Sequence, residues 1–429
     1  MSSIEIEPLA SPPNASVRPP GSKSLTNRAL VCAALAHGRS SLTGVLDSED
    51  TRVMLDALTT LGIQLQADHL VHEVQVTGCD GKIPAATAEL YIANSGTSVR
   101  FLTALVALAQ GRFRLHGTKR MHERPIQDLL DALTQLGVRA QSEAATGCPP
   151  VIVHADGLRM RRTTIRGDVS SQFLSAVLLA APCAGDSGGE PFVIDIAGPL
   201  VSVPYVTMTL AVMRSFGATV EHTPDFKQFR IATTGYRGQE YAIEPDASAA
   251  SYFWAAAAIT GGRVRVEGLG PASLQGDVAF CDVLAKMGCR VMPDDLGTTV
   301  EGGHLIGVDV DMNAISDTVQ TLGAVALFAK GPTTIRNVGH IRHKETDRIG
   351  ALATELRKLG GQVEETTDGL RIQPSQLRSA SIDTYDDHRM AMSLALVGLK
   401  FPGVVINDPG CVGKTYPSYW DDLAKLRSG

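Results

Sequence analysis

The sequence predicts an α/β fold made of six similar units in two groups of three. Two series of helical segments alternate along the 429-residue chain, and short runs rich in β-branched residues separate them. A recurrence at roughly seventy residues is typical of a repeated structural unit. Because both series keep the same register, chance similarity between alanine-rich helices does not explain them. We interpret each unit as strand–helix–strand–helix–strand.

The first series consists of segments that open on small or polar residues and continue into alanine- and leucine-rich sequence. They are "GSKSLTNRALVCAAL", "NSGTSVRFLTALVAL", "GDVSSQFLSAVLLA", "PDASAASYFWAAAAI", "DMNAISDTVQTLGAVAL" and "YDDHRMAMSLALVGL". Side-chain oxygens at a helix start accept hydrogen bonds from the N–H groups of the first turn. We therefore expect helix caps at Ser24, Ser171, Ser248 and Asp317.

The second series consists of amphipathic helices that end at a glycine and lead into a strand. Its copies are "LDALTTLGIQL", "LDALTQLGVRA", "LAVMRSFGATV", "CDVLAKMGCRV" and "ATELRKLGGQV", with a shortened copy in "WDDLAKLRSG". Apolar residues recur at i, i+3, i+4 and i+7, which is the helical period. Each glycine stands where a left-handed conformation stops a helix.

Strands are predicted in short runs such as "VQVTG", "FRLHG", "VIVHA", "FVIDI", "RVRVEG" and "VVIND". The first strand, "SIEIEPL", precedes the first unit, so the chain should cross between two lobes near Gly21 and again near Glu244. This predicts one lobe over residues 22–243 and another formed by 1–21 with 244–429. A cleft between two such lobes is a natural ligand site.

Composition excludes several classes of protein. The net charge is −6 and aromatic residues make up 5%, whereas a nucleic-acid binder usually has a basic balance. Seven cysteines without a CxxC pair indicate reduced thiols, not a disulfide framework or a zinc site.

The N-terminus lacks the pattern of a signal peptide, and the apolar runs are too short to cross a bilayer. We expect a cytoplasmic protein without a nucleic-acid or membrane partner.

Basic residues at helix starts indicate anion binding. Lys23, Arg28 and Arg100 lie in or near the first turn of their helices, where a cation opposes the helix dipole unless an anion is bound. The segment "GCVGKT" is not a P-loop, because Asp408 replaces its first glycine and a proline follows closely. Lys414 remains a candidate phosphate ligand outside an ATP-binding context.

Two charged segments, "RHKETDR" and "YDDHRM", interrupt mostly apolar sequence. A metal site with His343 and Glu345, or with Asp386, Asp387 and His388, is disfavoured because cations stand among the ligands. A solvated helix start with internal salt bridges is the common alternative. We favour an anion site, in which Arg348 and Arg389 bind and Glu345 and Asp317 transfer protons.

At these residues the chain resembles the 5-enolpyruvylshikimate-3-phosphate synthase family. The similar segments, in the family's order, are "GSKSLTNRAL", "NSGTSVRF", "RPIQDLLDAL", "SSQFLSA", "DMNAISD", "KETDR", "DDHRMAM" and "GKTYPSYW". The resemblance implies the two-lobed enolpyruvyl-transferase fold, an inside-out α/β barrel with three βαβαββ-like units per lobe. It implies a monomer that moves enolpyruvyl from phosphoenolpyruvate to the 5-hydroxyl of shikimate 3-phosphate and releases phosphate, with no cofactor or metal.

The resemblance also implies the residues that bind and react. The catalytic residues would be Asp317, Glu345 and Lys23. Shikimate 3-phosphate would contact Lys23, Ser24, Arg28, Ser170, Ser171, Gln172, Ser202, Tyr205, Asp317, His340 and Lys344. Phosphoenolpyruvate would contact Lys23, Gly96, Arg124, Gln172, Arg348, His388, Arg389 and Lys414.

Two positions depart from the family pattern. Phe101 stands where proline or leucine is common, and His340 stands where asparagine is common. Gly96 is retained, so we expect the phosphoenolpyruvate analogue glyphosate to inhibit.

Rival functions have weaker support. The related enolpyruvyl transferase that acts on UDP-N-acetylglucosamine carries a loop cysteine, which the matching segment "HGTKRMHERPIQ" lacks. A nucleic-acid-end processing enzyme with this repeat would show more basic and aromatic surface. A silent anion-binding module would not need both Asp317 and Glu345 among the cations.

Overall fold

A computed structural model describes residues 2–185 and 189–427 and divides the chain into two compact units. The central unit is Gly21–Ile243, and the terminal unit combines the chain up to Pro20 with the chain from Glu244 onward. Within the described residues, no helix has the length and apolar character needed to span a bilayer.

Two strands of the terminal unit come first, β1 (Ser3–Ile6) and β2 (Asn14–Val17). The helices of the central unit are α1 (Lys23–Leu35), α2 (Glu49–Thr60), α3 (Gly96–Val106), α4 (Gln127–Gln135), α5 (Ser171–Ala180) and α6 (Val203–Ser215). Its strands are β3 (Ala36–His37), β4 (Arg39–Thr43), β5 (Gln64–Asp68), β6 (Glu73–Thr77), β7 (Thr87–Tyr91), β8 (Gln110–His116), β9 (Arg139–Ser142), β10 (Val151–Asp156), β11 (Arg162–Arg166), β12 (Phe192–Ala197), β13 (Val220–His222), β14 (Gln228–Ile231), β15 (Tyr236–Arg237) and β16 (Glu240–Ala242).

The remainder of the terminal unit continues the same alternation. Its helices are α7 (Ala247–Thr260), α8 (Phe280–Lys286), α9 (Val319–Ala326), α10 (Arg348–Lys358), α11 (His388–Gly398) and α12 (Tyr419–Ala424). Its strands are β17 (Arg263–Glu267), β18 (Arg290–Asp294), β19 (Gly297–Glu301), β20 (Asp309–Asp311), β21 (Thr333–Arg336), β22 (Gln362–Glu365), β23 (Leu370–Gln373), β24 (Ala380–Ile382) and β25 (Val404–Asn407).

One sheet topology recurs through the described part of both units. Each four-stranded sheet has one parallel pair followed by two antiparallel pairs. The orders are β16-β4-β6-β5, β7-β8-β10-β9 and β11-β12-β14-β13 in the central unit, and β2-β17-β19-β18 and β20-β21-β23-β22 in the terminal unit. A three-stranded sheet, β24-β25-β1, completes the series. The predicted α/β class and its six βαβαββ-like units are confirmed.

Strands from distant parts of the chain complete the first and last repeats. Helix α1 has no strand of its own before it, and β16 supplies the parallel partner of β4 after 196 intervening residues. In the terminal unit, β2 pairs with β17, and β1 pairs with β25. The N-terminal segment therefore fills two sheets of the terminal unit, which leaves fewer sheet edges unpaired.

The predicted caps at Ser24, Ser171, Ser248 and Asp317 are wrong. The side chains that accept first-turn N–H groups belong to Ser22, Ser95, Ser170, Asp246 and Asp387. In each case the cap is an extended residue directly before the helix. Asp317 lies instead in a short 3-10 helix, Asn313–Thr318, where it contacts cations. Several polar residues near each helix start could serve as its cap as judged from the sequence. The backbone conformation decides which of them caps the helix.

The predicted glycine stops of the second helix series are confirmed. The backbone φ angles of these glycines lie between +83° and +105°, a region that residues with a Cβ rarely adopt. The five positions are Gly62, Gly137, Gly217, Gly288 and Gly360. Gly429 of the shortened copy lies outside the described residues.

First-series helices are buried nearly all round, so their polar side chains pair with one another. In the terminal unit, the Thr321 hydroxyl of α9 lies 3.0 Å from Ser251 Oγ of α7 and 3.2 Å from Ser393 Oγ of α11. All three residues are fully buried. Buried hydroxyls without partners are costly, so these contacts fix how the three helices face one another.

We expect Thr321→Val to lower the free energy of unfolding by about 1–2 kcal/mol, because it leaves two buried serines short of a partner. Urea unfolding at neutral pH measures the change. Thr354→Val is the matched control, since Thr354 is an exposed helical threonine of the same unit. An equal loss in both variants would refute the buried hydroxyl contact as the cause.

Candidate active site

The start of α1 carries the first pair of charged residues in the central unit. Lys23 is the first residue of the helix, and its Nζ lies 3.2 Å from Asp50 Oδ2 of α2. Asp50 is only 2% exposed, so the lysine offsets the cost of burying its carboxylate. Asp50 was not among the predicted site residues. Acidic residues are common at the start of a helix, so the sequence around Asp50 does not single it out as a site residue.

Arg28 joins α1 to the start of α6. Its Nε donates to Thr209 Oγ1 at 2.7 Å, Nη1 donates to the Ser24 carbonyl at 2.9 Å, and Nη2 donates to the Tyr205 carbonyl at 3.2 Å. Burial lowers the pKa of Arg28 to about 10, which still leaves it a cation at neutral pH. The structure thus brings the backbone carbonyls of Ser24 and Tyr205 against the Arg28 guanidinium.

Gly96 begins α3 beside Arg124. Arg124 Nη1 donates to the Asn94 carbonyl at 2.9 Å and to Asn94 Oδ1 at 3.2 Å. A Cβ on Gly96 would run into the Arg124 guanidinium and would lie 2.8 Å from Arg100 Nη1. Glycine is therefore required for the two arginines to stand this close to the helix start.

Arg100 connects the Gly96 region to Gln172 on α5. Its Nη1 donates to Gln172 Oε1 at 2.6 Å, and its Nη2 donates to the Pro125 carbonyl at 3.0 Å. Gln172 Nε2 in turn donates to Thr97 Oγ1 at 3.4 Å. This contact orients the Gln172 amide, because the guanidinium can meet only its oxygen. Arg100 was predicted as an anion-binding cation but not as the partner of Gln172.

The predicted serines occupy helix starts in the same unit. Ser170 caps α5 and Ser171 is its first residue. Ser202 precedes α6 with a left-handed backbone at φ 54°. Hydroxyls at helix starts, together with the N–H groups of the first turn, form a setting in which anions are favoured.

In the terminal unit, Asp317 contacts three cations. Its Oδ1 lies 2.5 Å from Lys344 Nζ and 3.1 Å from Arg348 Nη1, and its Oδ2 lies 2.7 Å from Arg389 Nη2. Burial alone would raise the pKa of Asp317, but Arg389, Lys344 and Arg348 outweigh it and hold that pKa well below 3.8. The carboxylate is thus ionised at neutral pH.

Arg348 is bound by carboxylates on several sides. Its Nε donates to Asp387 Oδ2 at 2.8 Å, and its Nη2 donates to Glu345 Oε2 at 2.8 Å. Asp387 is fully buried and also caps α11 through the N–H of Arg389. Burial would lower the pKa of Arg348, but Asp387, Glu345 and Asp317 raise it. The sequence pattern indicates Asp387 only as a candidate metal ligand, because its partner Arg348 lies 39 residues earlier in the chain.

Three further predicted site residues of the terminal unit are His340, His388 and Lys414. His340 Nε2 lies 3.0 Å from Ser316 Oγ. Burial, assisted by Lys344, lowers the pKa of His340 to about 3, so its ring is neutral at physiological pH. His388 begins α11, and Lys414 ends a short 3-10 helix, Pro409–Lys414. Both are buried.

The predicted residues thus form local groups in each unit. Contacts in the central unit join Ser24, Arg28 and Tyr205, and separately join Gly96, Arg100 and Gln172. Contacts in the terminal unit join Asp317, Lys344, Glu345, Arg348 and Arg389. Within residues 2–185 and 189–427, no group of three or more histidines, cysteines, aspartates or glutamates is arranged to hold a metal ion.

Comparisons with known proteins match the chain along nearly its full length. The family model for EPSP synthase (3-phosphoshikimate 1-carboxyvinyltransferase) matches residues 10–423. A 3-phosphoshikimate 1-carboxyvinyltransferase of Nostoc punctiforme is 49% identical over 422 residues, covering 98% of both proteins. One from Ralstonia nicotianae is 47% identical, again covering 98% of both.

Solved structures show the same fold. EPSP synthase from Acinetobacter baumannii has a TM-score of 0.80 at 24% identity and covers 99% of this chain and 98% of its own. The enolpyruvyl transferase NikO from Streptomyces tendae has a TM-score of 0.75 at 22% identity, with coverage of 98% and 96%. The chain therefore has the enolpyruvyl-transferase fold, and the full-length family match places it in the EPSP synthase family.

Proposed function

We propose that this protein is a 3-phosphoshikimate 1-carboxyvinyltransferase, which moves enolpyruvyl from phosphoenolpyruvate to the 5-hydroxyl of shikimate 3-phosphate and releases phosphate. Family membership and the names of its relatives support this activity. The observation that carries it is a buried carboxylate, Asp317, held ionised among Lys344, Arg348 and Arg389. Such a group combines anion binding with proton transfer.

We propose that the protein acts as a monomer in the cytoplasm. The proposed substrate-binding cations include Lys23, Arg28 and Arg124 of the central unit and Arg348 and Lys414 of the terminal unit. All of them belong to one chain, so no second copy is needed to complete the set.

The substrates occupy separate parts of the proposed site. Shikimate 3-phosphate contacts Ser170, Ser171 and Ser202 through its phosphate and lies near Arg28 and Tyr205. Phosphoenolpyruvate lies against Gly96, Arg124, Arg348, Arg389 and Lys414. Planar guanidinium groups suit both phosphate and carboxylate because they donate two parallel hydrogen bonds. Gln172 lies between the two substrates.

The reaction proceeds by addition and elimination. Asp317 accepts the proton of the acceptor's 5-hydroxyl, whose oxygen adds to the central carbon of phosphoenolpyruvate while the methylene carbon gains a proton. The adduct then loses a proton from that same carbon and expels phosphate, which restores the double bond. Glu345 or Lys23 exchanges the proton at the carbon. The surrounding cations stabilise the charge that develops on phosphate and carboxylate.

Substrate binding itself prepares Asp317 as a base. With three cations in contact, its lowered pKa makes it a weak proton acceptor. Anionic substrates that engage Arg348 and Arg389 offset these positive charges, which raises the pKa of the carboxylate toward its ordinary range. Asp317 therefore becomes a stronger base only when the anionic substrates are bound.

The acceptor assay tests the proposed activity directly. We expect phosphate release from phosphoenolpyruvate to depend on shikimate 3-phosphate and to be absent with UDP-N-acetylglucosamine. Phosphate release and product formation are followed together with each acceptor. Turnover with the UDP-sugar, and none with shikimate 3-phosphate, would refute the proposal.

We expect Asp317→Asn to lower kcat by about 10²–10⁴-fold, the usual contribution of a general base. The variant remains folded at neutral pH, as circular dichroism will show. Because the folded pKa of Asp317 is lowered, its stabilising contribution is present above pH 3.8 and is lost as the pH falls through the folded value. The stability difference between wild type and variant should therefore shrink in acid.

Asp347→Asn serves as the control for Asp317→Asn, since the exposed Asp347 caps α10 and pairs with Arg342. It should retain turnover while losing some stability. A kcat near the wild-type value in Asp317→Asn would rule out the role of this carboxylate as the base.

We expect Gly96→Ala to raise the KM for phosphoenolpyruvate by about tenfold or more, because the added Cβ displaces the Arg124 guanidinium. The wild-type enzyme should be inhibited by glyphosate at fixed phosphoenolpyruvate, and the same displacement should weaken this inhibition. Gly410→Ala is the control, since its Cβ would meet nothing closer than 3.9 Å. Equal KM values in wild type and Gly96→Ala would contradict the assignment.

A further inference from the structure

We propose that Phe101 is a positioning residue for the acceptor, because its ring supports the guanidinium of Arg28. The inference rests on the proposed function, in which Arg28 contacts shikimate 3-phosphate. Arg28 Cζ lies 5.2 Å from the centroid of the Phe101 ring. Both side chains are buried, Phe101 at 1% and Arg28 at 2% exposure. The ring of Phe101 on α3 thus packs against the guanidinium of Arg28 on α1.

Arg28 is buried, and within residues 2–185 and 189–427 it has no carboxylate partner. Its hydrogen bonds go to one hydroxyl and two carbonyls. An isolated buried charge is expensive unless its surroundings compensate it. The face of an aromatic ring carries partial negative charge and attracts a cation, more strongly when water is excluded. Phe101 supplies this compensation without supplying a negative charge.

The arrangement leaves Arg28 able to bind an anion. Its contacts use three of the five N–H donors of a guanidinium, one on each nitrogen. One N–H therefore remains on each terminal nitrogen, which suits a substrate oxyanion. A carboxylate in place of Phe101 would compete with the substrate for the cation, whereas a ring does not. An aliphatic side chain would fill similar space but would lack the attractive face.

Calorimetric titration of the full-length protein with shikimate 3-phosphate, in the absence of phosphoenolpyruvate, tests this role. We expect Phe101→Leu to weaken binding by roughly 3- to 30-fold, which corresponds to about 0.7–2 kcal/mol. The KM for shikimate 3-phosphate should rise by a similar factor, with kcat and the KM for phosphoenolpyruvate close to wild type. Replacement of Phe101 by a trifluorinated phenylalanine keeps the shape, weakens the ring face and should lower affinity as well.

Phe113→Leu is the matched control, because Phe113 is a fully buried phenylalanine of β8 in the same unit. It should lower stability and leave acceptor binding unchanged. Equal affinity losses in the two leucine variants, or no effect of fluorination, would overturn the role of the ring. Wild-type protein that binds shikimate 3-phosphate without transfer would refute the proposed function alone, and wild-type protein that does not bind it would refute both.

Discussion

The ion cluster around Asp317 is the constraint on which the terminal unit of this protein depends. One carboxylate contacts Lys344, Arg348 and Arg389, and Arg348 also binds Glu345 and Asp387. Taking so many charges out of water is costly, and apolar replacements are often at least as stable. Retention of such a cluster is therefore weak evidence for a stabilising role and favours a functional one.

Buried arginines are compensated in two different ways in this chain. Arg348 is surrounded by carboxylates, so a substrate anion has to share or displace its partners. Arg28 is held by neutral oxygens and by the Phe101 ring, so in the part of the chain that the structure describes no carboxylate competes with an incoming anion. The first arrangement couples anion binding to the protonation of Asp317, whereas the second favours simple recognition. This division fits the proposed function, in which phosphoenolpyruvate lies against Arg348 and the acceptor lies near Arg28.

The repeat places several of the proposed site residues at the starts of the first helix series. These helices are buried along almost their whole length, so the polar groups that could meet a ligand lie in their first turns and in the preceding loops. Lys23, Gly96 and Ser171 open three of them in the central unit, and His388 opens one in the terminal unit. The second series supplies fewer of them, with Arg348 at the start of α10. Six copies of one scaffold thus present different side chains at equivalent positions.

Local sequence determined the repeat, the glycine stops and the identity of the residues that the family resemblance assigned. These features depend on period, on backbone freedom at single residues and on ordered motifs, all of which are visible in one dimension. The tertiary structure alone decided which polar residue caps each helix, that β16, β1 and β2 complete distant sheets, and that Asp50 meets Lys23 and Asp387 meets Arg348. The strand pairings and ion pairs join groups far apart in the chain, and the choice of cap depends on backbone conformation. Their energies depend on burial and distance, which a linear pattern does not contain.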